Sequence, residues 1–390
     1  MKIESIHLKN FRMFQNVTLS NLPNCCFVVG ANGSGKSSLF DVFGFLRDAL
    51  THNVKQALAK RGGFKEVVSR GSKGPIEIEL QFRDLKATSN HISYSLIIDW
   101  VDFRPIIKRE VLKYQSQQRD EGTKPILDFS HGRGKVLQSR RLSKQEHIEE
   151  NLDSPDILAL KVIGQLQRFE IASELRRFIE NWHLSDLQIS EARKINLANG
   201  YDEHLSHCGD NMALFAQRMR NHYPEQYHEI RHQMAYRLPS ISDVEPISTE
   251  DGRILLKFQH RTFKETFQSW QVSDGTIQMF AYFLLLYDPN PHPFLCVEEP
   301  NNHLYPDTLI ILAEELNWYA SRGDGQVFVS THSPDLLNGA KLESIFWLTQ
   351  KGGYTQVRST SENQLMKRLI EVGDLPGALW TEGFFEGAHP

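Results

Sequence analysis

Gly30-Ala31-Asn32-Gly33-Ser34-Gly35-Lys36-Ser37 matches GxxxxGK[ST] at every fixed position. Residues of these types at this spacing hold a phosphate. The glycines remove Cβ atoms that would block a backbone wrapped around an anion. Loop amides and a helix N-terminus then supply N–H groups aimed at it. Lys36 would reach the β- and γ-phosphates, and the Ser37 hydroxyl would ligate Mg²⁺. The plain alternative is a Gly-rich turn before a helix. The flanks argue for the phosphate loop: the apolar run Cys26-Phe27-Val28-Val29 reads as a buried strand, and the amphipathic residues from Ser38 to Leu46 read as a helix. That strand–loop–helix context is what the motif requires.

A second group of reactive side chains lies far downstream. Phe294-Leu295-Cys296-Val297 reads as a buried strand that delivers Glu298-Glu299 at its C-terminal end, the edge at which ligands bind in such sheets. Glu298 would hold Mg²⁺ through water, and Glu299 would orient and polarise an attacking water. Two carboxylates this close ionise comfortably only beside a cation, which Mg²⁺ supplies. The next apolar strand, Gln326-Val327-Phe328-Val329-Ser330, ends in Thr331-His332-Ser333. His332 would hydrogen-bond the γ-phosphate and report its presence, or else serve as a structural histidine.

Several elements must position these groups. Ile3, Ile6 and Leu8, then Val17-Thr18-Leu19, predict two strands ahead of the phosphate loop. Arg12 lies between them and is either a nucleotide contact or a surface arginine. Ile76, Ile78, Leu80 and Phe82 alternate with polar residues, and residues 92–100 and 106–114 follow the same style, so an antiparallel β region is expected. Between roughly 154 and 237 the period turns helical. Leu175, Phe178, Ile179 and Trp182 fall at i, i+3, i+4 and i+7, and Pro224 opens a further helix. Strands and helices alternate again from Ile254 onward, which implies a mostly parallel sheet. The division expected is an N-terminal lobe over 1–150, a helical insertion over 151–240 and a C-terminal lobe over 241–390.

Bulk properties exclude several classes. With 40% hydrophobic and 24% charged residues, the chain reads as an ordinary globular protein. Its longest apolar run, Met279 to Leu286, is too short to span a bilayer, and its start lacks a signal-peptide core, so a cytoplasmic location without membrane contact is expected. Cys25, Cys26, Cys208 and Cys296 form no CxxC pair, so neither a zinc knuckle nor a redox motif is indicated. Net charge is -4, yet residues 104–144 hold eleven Lys or Arg against four Asp or Glu. That local excess is compatible with nucleic-acid contact or with a solvated, hairpin-rich surface.

The order of phosphate loop, Val272-Ser273-Asp274-Gly275-Thr276, Glu298-Glu299-Pro300 and Ser330-Thr331-His332-Ser333-Pro334 resembles an ABC-type ATPase head of the SMC/RecF/OLD group, over nearly the whole chain. The opening Leu8-Lys9-Asn10-Phe11-Arg12-Met13-Phe14 is similar to that group's start. The fold implied is α/β: an ABC-type P-loop head with an N-terminal antiparallel β subdomain and a helical insertion. The resemblance implies ATP and Mg²⁺ as cofactors. Gly30, Asn32, Gly33, Ser34, Gly35, Lys36, Ser37 and Ser38 would bind the nucleotide, with Asn32 on the γ-phosphate. Ser37 and Glu298 would hold the metal, and Glu299, His332 and Lys36 would be catalytic. Ser273 and Gly275 would cap the ATP of the other protomer in a head-to-head homodimer.

The sequence departs from the group at Val-Ser-Asp-Gly-Thr in place of Leu-Ser-Gly-Gly-Gln, at Glu298 in place of Asp, and at Asn301 and Tyr305. These changes bear on hydrolysis rate more than on binding. Gln81 and Gln165 are both candidates for the Q-loop glutamine, and Arg70 for a trans-acting arginine. The functions implied are an ATPase that controls a separate effector, a nuclease or a toxin, in bacterial anti-phage defence; a DNA maintenance ATPase of RecF or SMC type; or an ATP-bound scaffold that turns over slowly. The residues after His332 contain no acidic cluster resembling a Toprim nuclease. A transporter motor is disfavoured by the long separation of Lys36 from Gly275 and by the Asn10-Phe11-Arg12 start.

Overall fold

The alternating segments near the N-terminus pair as the period-two pattern requires. In the computed structural model, which describes residues 1–84, 90–116, 123–137, 147–198, 200 and 202–388, they form an eight-stranded antiparallel sheet. Its order is Phe14–Leu19, Lys2–Phe11, Ile76–Arg83, Asn90–Val101, Arg104–Ser116, Lys124–Ser130, Arg133–Leu137, His147–Asn151. Ile76, Ile78, Leu80 and Phe82 are fully buried, and Leu8 stands opposite Ile78, which stands opposite Leu96. One face of the sheet is therefore core. The hairpin between Asn90–Val101 and Arg104–Ser116 turns on Asp102 and Phe103, with φ of 49° and 61°. Two successive left-handed residues match the twist of the flanking strands.

The chain divides into two compact units, one of Met1–Trp182, Leu342–Arg368 and Gly383–Pro390, the other of His183–Lys341 and Leu369–Glu382. In the first unit the phosphate-loop strand is Cys25–Val29, with all five residues buried. It runs parallel to Ile345–Lys351, which pairs antiparallel with Tyr354–Ser359. Helix Lys36–Thr51 follows the loop and buries Leu39, Phe40, Phe43 and Phe45. Phe45 meets Phe11 edge-on at 5.8 Å, and Phe43 meets Trp182 at 5.6 Å. The helix expected to run through Trp182 ends earlier, as Glu170–Glu180. Asn181 Nδ2 donates to the Arg177 carbonyl at 2.8 Å and stops it, so Trp182 opens the strand Trp182–Ser185 while keeping its buried ring against Phe178.

In the second unit Phe294–Glu298 and Gln326–Thr331 are parallel neighbours joined through helix Pro306–Arg322, a βαβ arrangement. Helix Asp274–Leu286 is apolar nearly all round and is buried from Thr276 to Leu286. The region read as purely helical is mixed: helices Met212–His222 and Pro224–Arg237 form as expected, but Asn196–Leu197 is a strand in a small antiparallel sheet with Arg253–His260, Ile241–Ser248 and Thr266–Gln268. Among the described residues, no helix is long and apolar enough to cross a membrane.

Candidate functional site

The first unit carries the phosphate cradle. Gly33 and Gly35 have φ of 79° and 107°, values that side chains other than glycine rarely adopt. Gly30 is needed for a different reason: a Cβ there would lie 2.4 Å from Ser34 Oγ and 2.8 Å from the Leu348 carbonyl oxygen. Gly35 caps helix Lys36–Thr51 without a side-chain hydrogen bond, and the first turn has no acidic residue. The helix therefore presents its orphan N–H groups and positive end to an anion. Lys36 is buried, and its Nζ donates to the Gly30 carbonyl at 2.7 Å and more weakly to Ala31. The buried Ser34 hydroxyl has no hydrogen-bond partner among the described residues. Asn32, Gly33 and Ser37 are exposed, and Ser38 is half-buried. An ammonium, a spare hydroxyl and the amides of a helix N-terminus are donors of the kind a triphosphate accepts, and Ser37 offers an oxygen to its metal.

Two residues absent from the motif hold the cradle in shape. Thr355 Oγ1 donates to the Ser34 carbonyl at 2.7 Å, and Gln350 Nε2 donates to the Gly33 carbonyl at 2.6 Å. A Cβ on Gly35 would come within 2.4 Å of that same Thr355 hydroxyl. The hairpin Ile345–Lys351 and Tyr354–Ser359 is thus a brace, more than three hundred residues away in the chain.

The second unit carries the carboxylates. Glu298 ends its strand exposed, opposite Ser330, and Glu299 turns with φ of 43°. The Glu299 amide donates to the Ser330 carbonyl at 3.0 Å, which fixes this strained turn. His332 Nδ1 lies 2.7 Å from Glu299 Oε2. The two residues expected at the ends of neighbouring strands are therefore one hydrogen-bonded pair. Asn301, at a position where the resembled group has Glu, accepts from Thr331 Oγ1 at 2.9 Å. Tyr305, the other departure, is 80% exposed.

The same unit holds the Val-Ser-Asp-Gly-Thr segment. Ser273 is the N-cap of helix Asp274–Leu286, accepting from the Thr276 amide. Gly275 permits close approach of the His303 backbone, since a Cβ would meet its carbonyl oxygen at 2.7 Å. Arg193, which sequence reading overlooked, reaches across the turn. It donates to the carbonyls of Ser269 and Val272, the latter at 2.9 Å, and pairs with Asp274 at 2.5 Å. An acidic residue at this helix end would repel a phosphate; Arg193 neutralises it.

Arg12 has φ of 48°, and its Nε is bound to Asp41 at 2.6 Å on helix Lys36–Thr51. Asp41 is shared with Arg61 at 2.6 Å, and Arg61 also holds Asp48. Burial pushes the Asp48 carboxyl upward, but hydrogen bonds from Lys60 and Arg61 outweigh it and hold it below its ordinary value. The Arg70 side chain is 94% exposed and makes a long 3.8 Å pairing to Glu66. Gln81 and Gln165 are both exposed. In the basic stretch Arg109 pairs with Asp128 at 2.9 Å and Lys135 with Glu149 at 3.1 Å, while Arg140 and Arg141 lie outside the described residues.

A family profile described as "AAA domain, putative AbiEii toxin, Type IV TA system" matches residues 25–338, a span that includes the cradle, Glu298-Glu299 and His332. The chain belongs to this AAA-domain family. It is 28% identical over 108 residues to the DNA replication and repair protein RecF of Lactococcus lactis subsp. cremoris (strain SK11), covering 26% of this chain and 30% of that one. With RecF of Listeria welshimeri serovar 6b it shares 29% over 110 residues, 26% and 29% of the two chains. The matched segments thus span under a third of these relatives. Among solved structures, it resembles the Smc head bound to the C-winged helix domain of ScpA, with a TM-score of 0.56 and 16% identity over 94% of this chain and 100% of that one. The Smc head with an extended coiled coil, bound to the C-terminal domain of ScpA derived from Pyrococcus furiosus, gives 0.52 and 14% over 96% and 100%. At such identity these structures share the fold. Family and fold together make this an ABC-type, SMC/RecF-like ATPase head, as the sequence resemblance implies.

Proposed function

We propose that this head binds Mg-ATP at Gly30–Ser38, hydrolyses it, and dimerises head to head while the triphosphate lasts. Each copy's Ser273 and Gly275 then cover the nucleotide held by the other. Lys36 gives up its loop carbonyls for the β- and γ-phosphates, with Asn32 beside the γ-phosphate. Ser37 and, through water, Glu298 would hold Mg²⁺, which would supply positive charge to the phosphate oxygens. Glu299 accepts the proton of the attacking water. His332 keeps the Glu299 carboxylate aimed and senses the γ-phosphate. The observation that carries this reading is the 2.7 Å contact between His332 Nδ1 and Glu299 Oε2 at the end of buried strands. A base oriented by a neighbouring group is the arrangement proton abstraction requires.

The biological output proposed is control of a separate effector, a nuclease or a toxin, in cytoplasmic anti-phage defence. The family's description, which reads "putative AbiEii toxin, Type IV TA system", supports a link to a toxin. The test is single-turnover hydrolysis with Glu299→Gln. Loss of a positioned base lowers rate by ~10²–10⁴, while ATP affinity stays near that of the parent. Unchanged turnover would reject Glu299 as the base, and negligible turnover in the parent would leave the scaffold reading.

A second reading, DNA maintenance of the RecF type, is favoured by the RecF matches and by the basic excess over residues 104–144. It predicts salt-sensitive DNA binding that weakens when Arg140 and Arg141 become Glu. Binding unaffected by that exchange would remove the basic face from the account.

A further inference from the structure

Away from the nucleotide machinery, the second unit gathers imidazoles around one buried carboxylate. His204 stands in the segment before helix Met212–His222, and Asp288 and His292 lie in the connection between helix Asp274–Leu286 and strand Phe294–Glu298. One ligand atom from each lies within 4.8 Å of the other two. His204 Nδ1 is 2.8 Å from Asp288 Oδ2, and the rings of His204 and His292 are 4.4 Å apart. The His183 ring lies 4.6 Å from that of His292. The Asp288 side chain is 1% exposed and that of His204 28%, and His292 is buried, so one edge of the cluster is open to an entering ion.

This is more nitrogen than a simple ion pair needs. A single histidine satisfies the Asp288 charge, yet a second ring is packed against the first and a third against the second. Each proposed ligand residue is also held from behind. The Asn290 amide donates to Asp288 Oδ1 at 2.8 Å, Tyr319 Oη donates to the His292 carbonyl at 2.6 Å, and Asn211 Nδ2 donates to the His204 carbonyl at 2.9 Å. The first holds the ligand carboxylate itself, as outer hydrogen bonds do at metal sites, and the other two fix the main chain that carries each imidazole.

We propose that His204, Asp288 and His292 bind a first-row divalent transition ion of the Zn²⁺ class. Two imidazole nitrogens and one carboxylate oxygen suit Zn²⁺ and disfavour Mg²⁺ and Ca²⁺, which take oxygen shells. Water, or the neighbouring His183 ring after a small shift, completes four-coordination. Coordination through His204 Nδ1 places the ring's proton on Nε2, and the 2.8 Å separation from Asp288 opens to the roughly 3.3 Å spacing of tetrahedral ligands. The ion ties the segment before helix Met212–His222 to the connection that leads into Glu298-Glu299. It thereby clamps the strand that carries the carboxylates without touching nucleotide.

The test uses the full chain, stripped with a chelator and titrated with Zn²⁺ alone against a chromophoric competitor, then with Co²⁺ as a spectroscopic probe. The expected result is one tight equivalent per chain and a tetrahedral Co²⁺ visible band. Asp288→Asn and His292→Ala should each weaken Zn²⁺ binding by at least about 100-fold and abolish the band. Lys36→Ala should leave both unchanged, which separates this site from the nucleotide cradle. If the buried variants do not fold, the partly exposed His204→Ala decides, with far-UV circular dichroism confirming its fold. No tight equivalent in the parent chain, or one that survives His204→Ala, would overturn the proposal and leave a hydrogen-bonded His–Asp pair.

Discussion

Replacing Arg193 with Met should uncouple ATP binding from dimerisation. The Arg193 guanidinium donates to the carbonyls of Ser269 and Val272 and pairs with Asp274 at 2.5 Å. Its side chain is 19% exposed and that of Asp274 48%. Methionine keeps the aliphatic stem and removes the charge. Asp274 then loses its arginine and keeps the 3.5 Å contact with His303 Nδ1, in the first turn of the helix proposed to face the partner's triphosphate. A carboxylate about 6 Å from one phosphate charge is repelled by ~0.7 kcal/mol in water and ~3 kcal/mol at an effective dielectric of about 20. With Asp274 half-exposed, the lower part of that range applies to each of the charges on Mg-ATP. The sum, together with a loosened turn, places the loss at roughly tenfold to a hundredfold in self-association, at ~1.4 kcal/mol per factor of ten. Sedimentation equilibrium in saturating ATP, in a Glu299→Gln background, measures it directly. Calorimetric ATP affinity of the single copy should not move. Adding Asp274→Asn should restore the electrostatic part and weaken the salt dependence. ATP-dependent association equal to the parent's in Arg193→Met would refute the assignment of this helix end to a partner's phosphate.

Three further outcomes follow from the described contacts. Thr355→Val keeps shape but leaves the Ser34 carbonyl without its 2.7 Å donor. A loss of ~1–3 kcal/mol from the phosphate-ready loop should weaken ATP about tenfold by calorimetry, and Thr355→Ser should not. Gly35→Ala combines a φ of 107° with a Cβ 2.4 Å from Thr355 Oγ1, so ATP affinity should fall by more than the ~1–2 kcal/mol of left-handed strain alone; wild-type affinity would contradict the cradle geometry. Glu110 is fully buried, and burial pushes its carboxyl from 4.5 up to about 7 against hydrogen bonds from Leu160, Ala159 and Tyr94. Its folded pKa thus exceeds its unfolded one, and the folded chain retains a proton that the unfolded chain releases. Stability should therefore fall by up to ~3 kcal/mol as pH rises through that window. Urea midpoints at pH 5, 6 and 7 check it, and Glu110→Gln should remove this contribution to the slope whatever its offset.

The parts of the site that sequence reading located are those encoded at fixed local spacing. The phosphate loop, its strand and helix, the Glu298-Glu299 strand end and His332 all rest on neighbours within a few residues. Helix Pro224–Arg237 was legible for a similar reason: proline at its first position has a local meaning. What escaped notice depends on partners chosen by topology. Thr355 and Gln350 touch the cradle from a hairpin 321 and 317 residues distant. Arg193 braces Asp274 from 81 residues away. No periodicity records such a choice. Strand Ile241–Ser248 hides behind Pro246, and the turn at Asp102-Phe103 lacks the glycine that marks most tight hairpins. Trp182 kept its helical spacing and its burial, yet belongs to a strand, because burial alone does not distinguish the two periods over so short a run.

Whether two copies share two nucleotides, as proposed, is read from sedimentation velocity of Glu299→Gln with Mg-ATP. A monomer is expected without nucleotide, a stable dimer with ATP, and a return to monomer with ADP. Adding Lys36→Ala should keep the protein single throughout. A Glu299→Gln chain that binds ATP by calorimetry yet sediments as one copy at every concentration would contradict it.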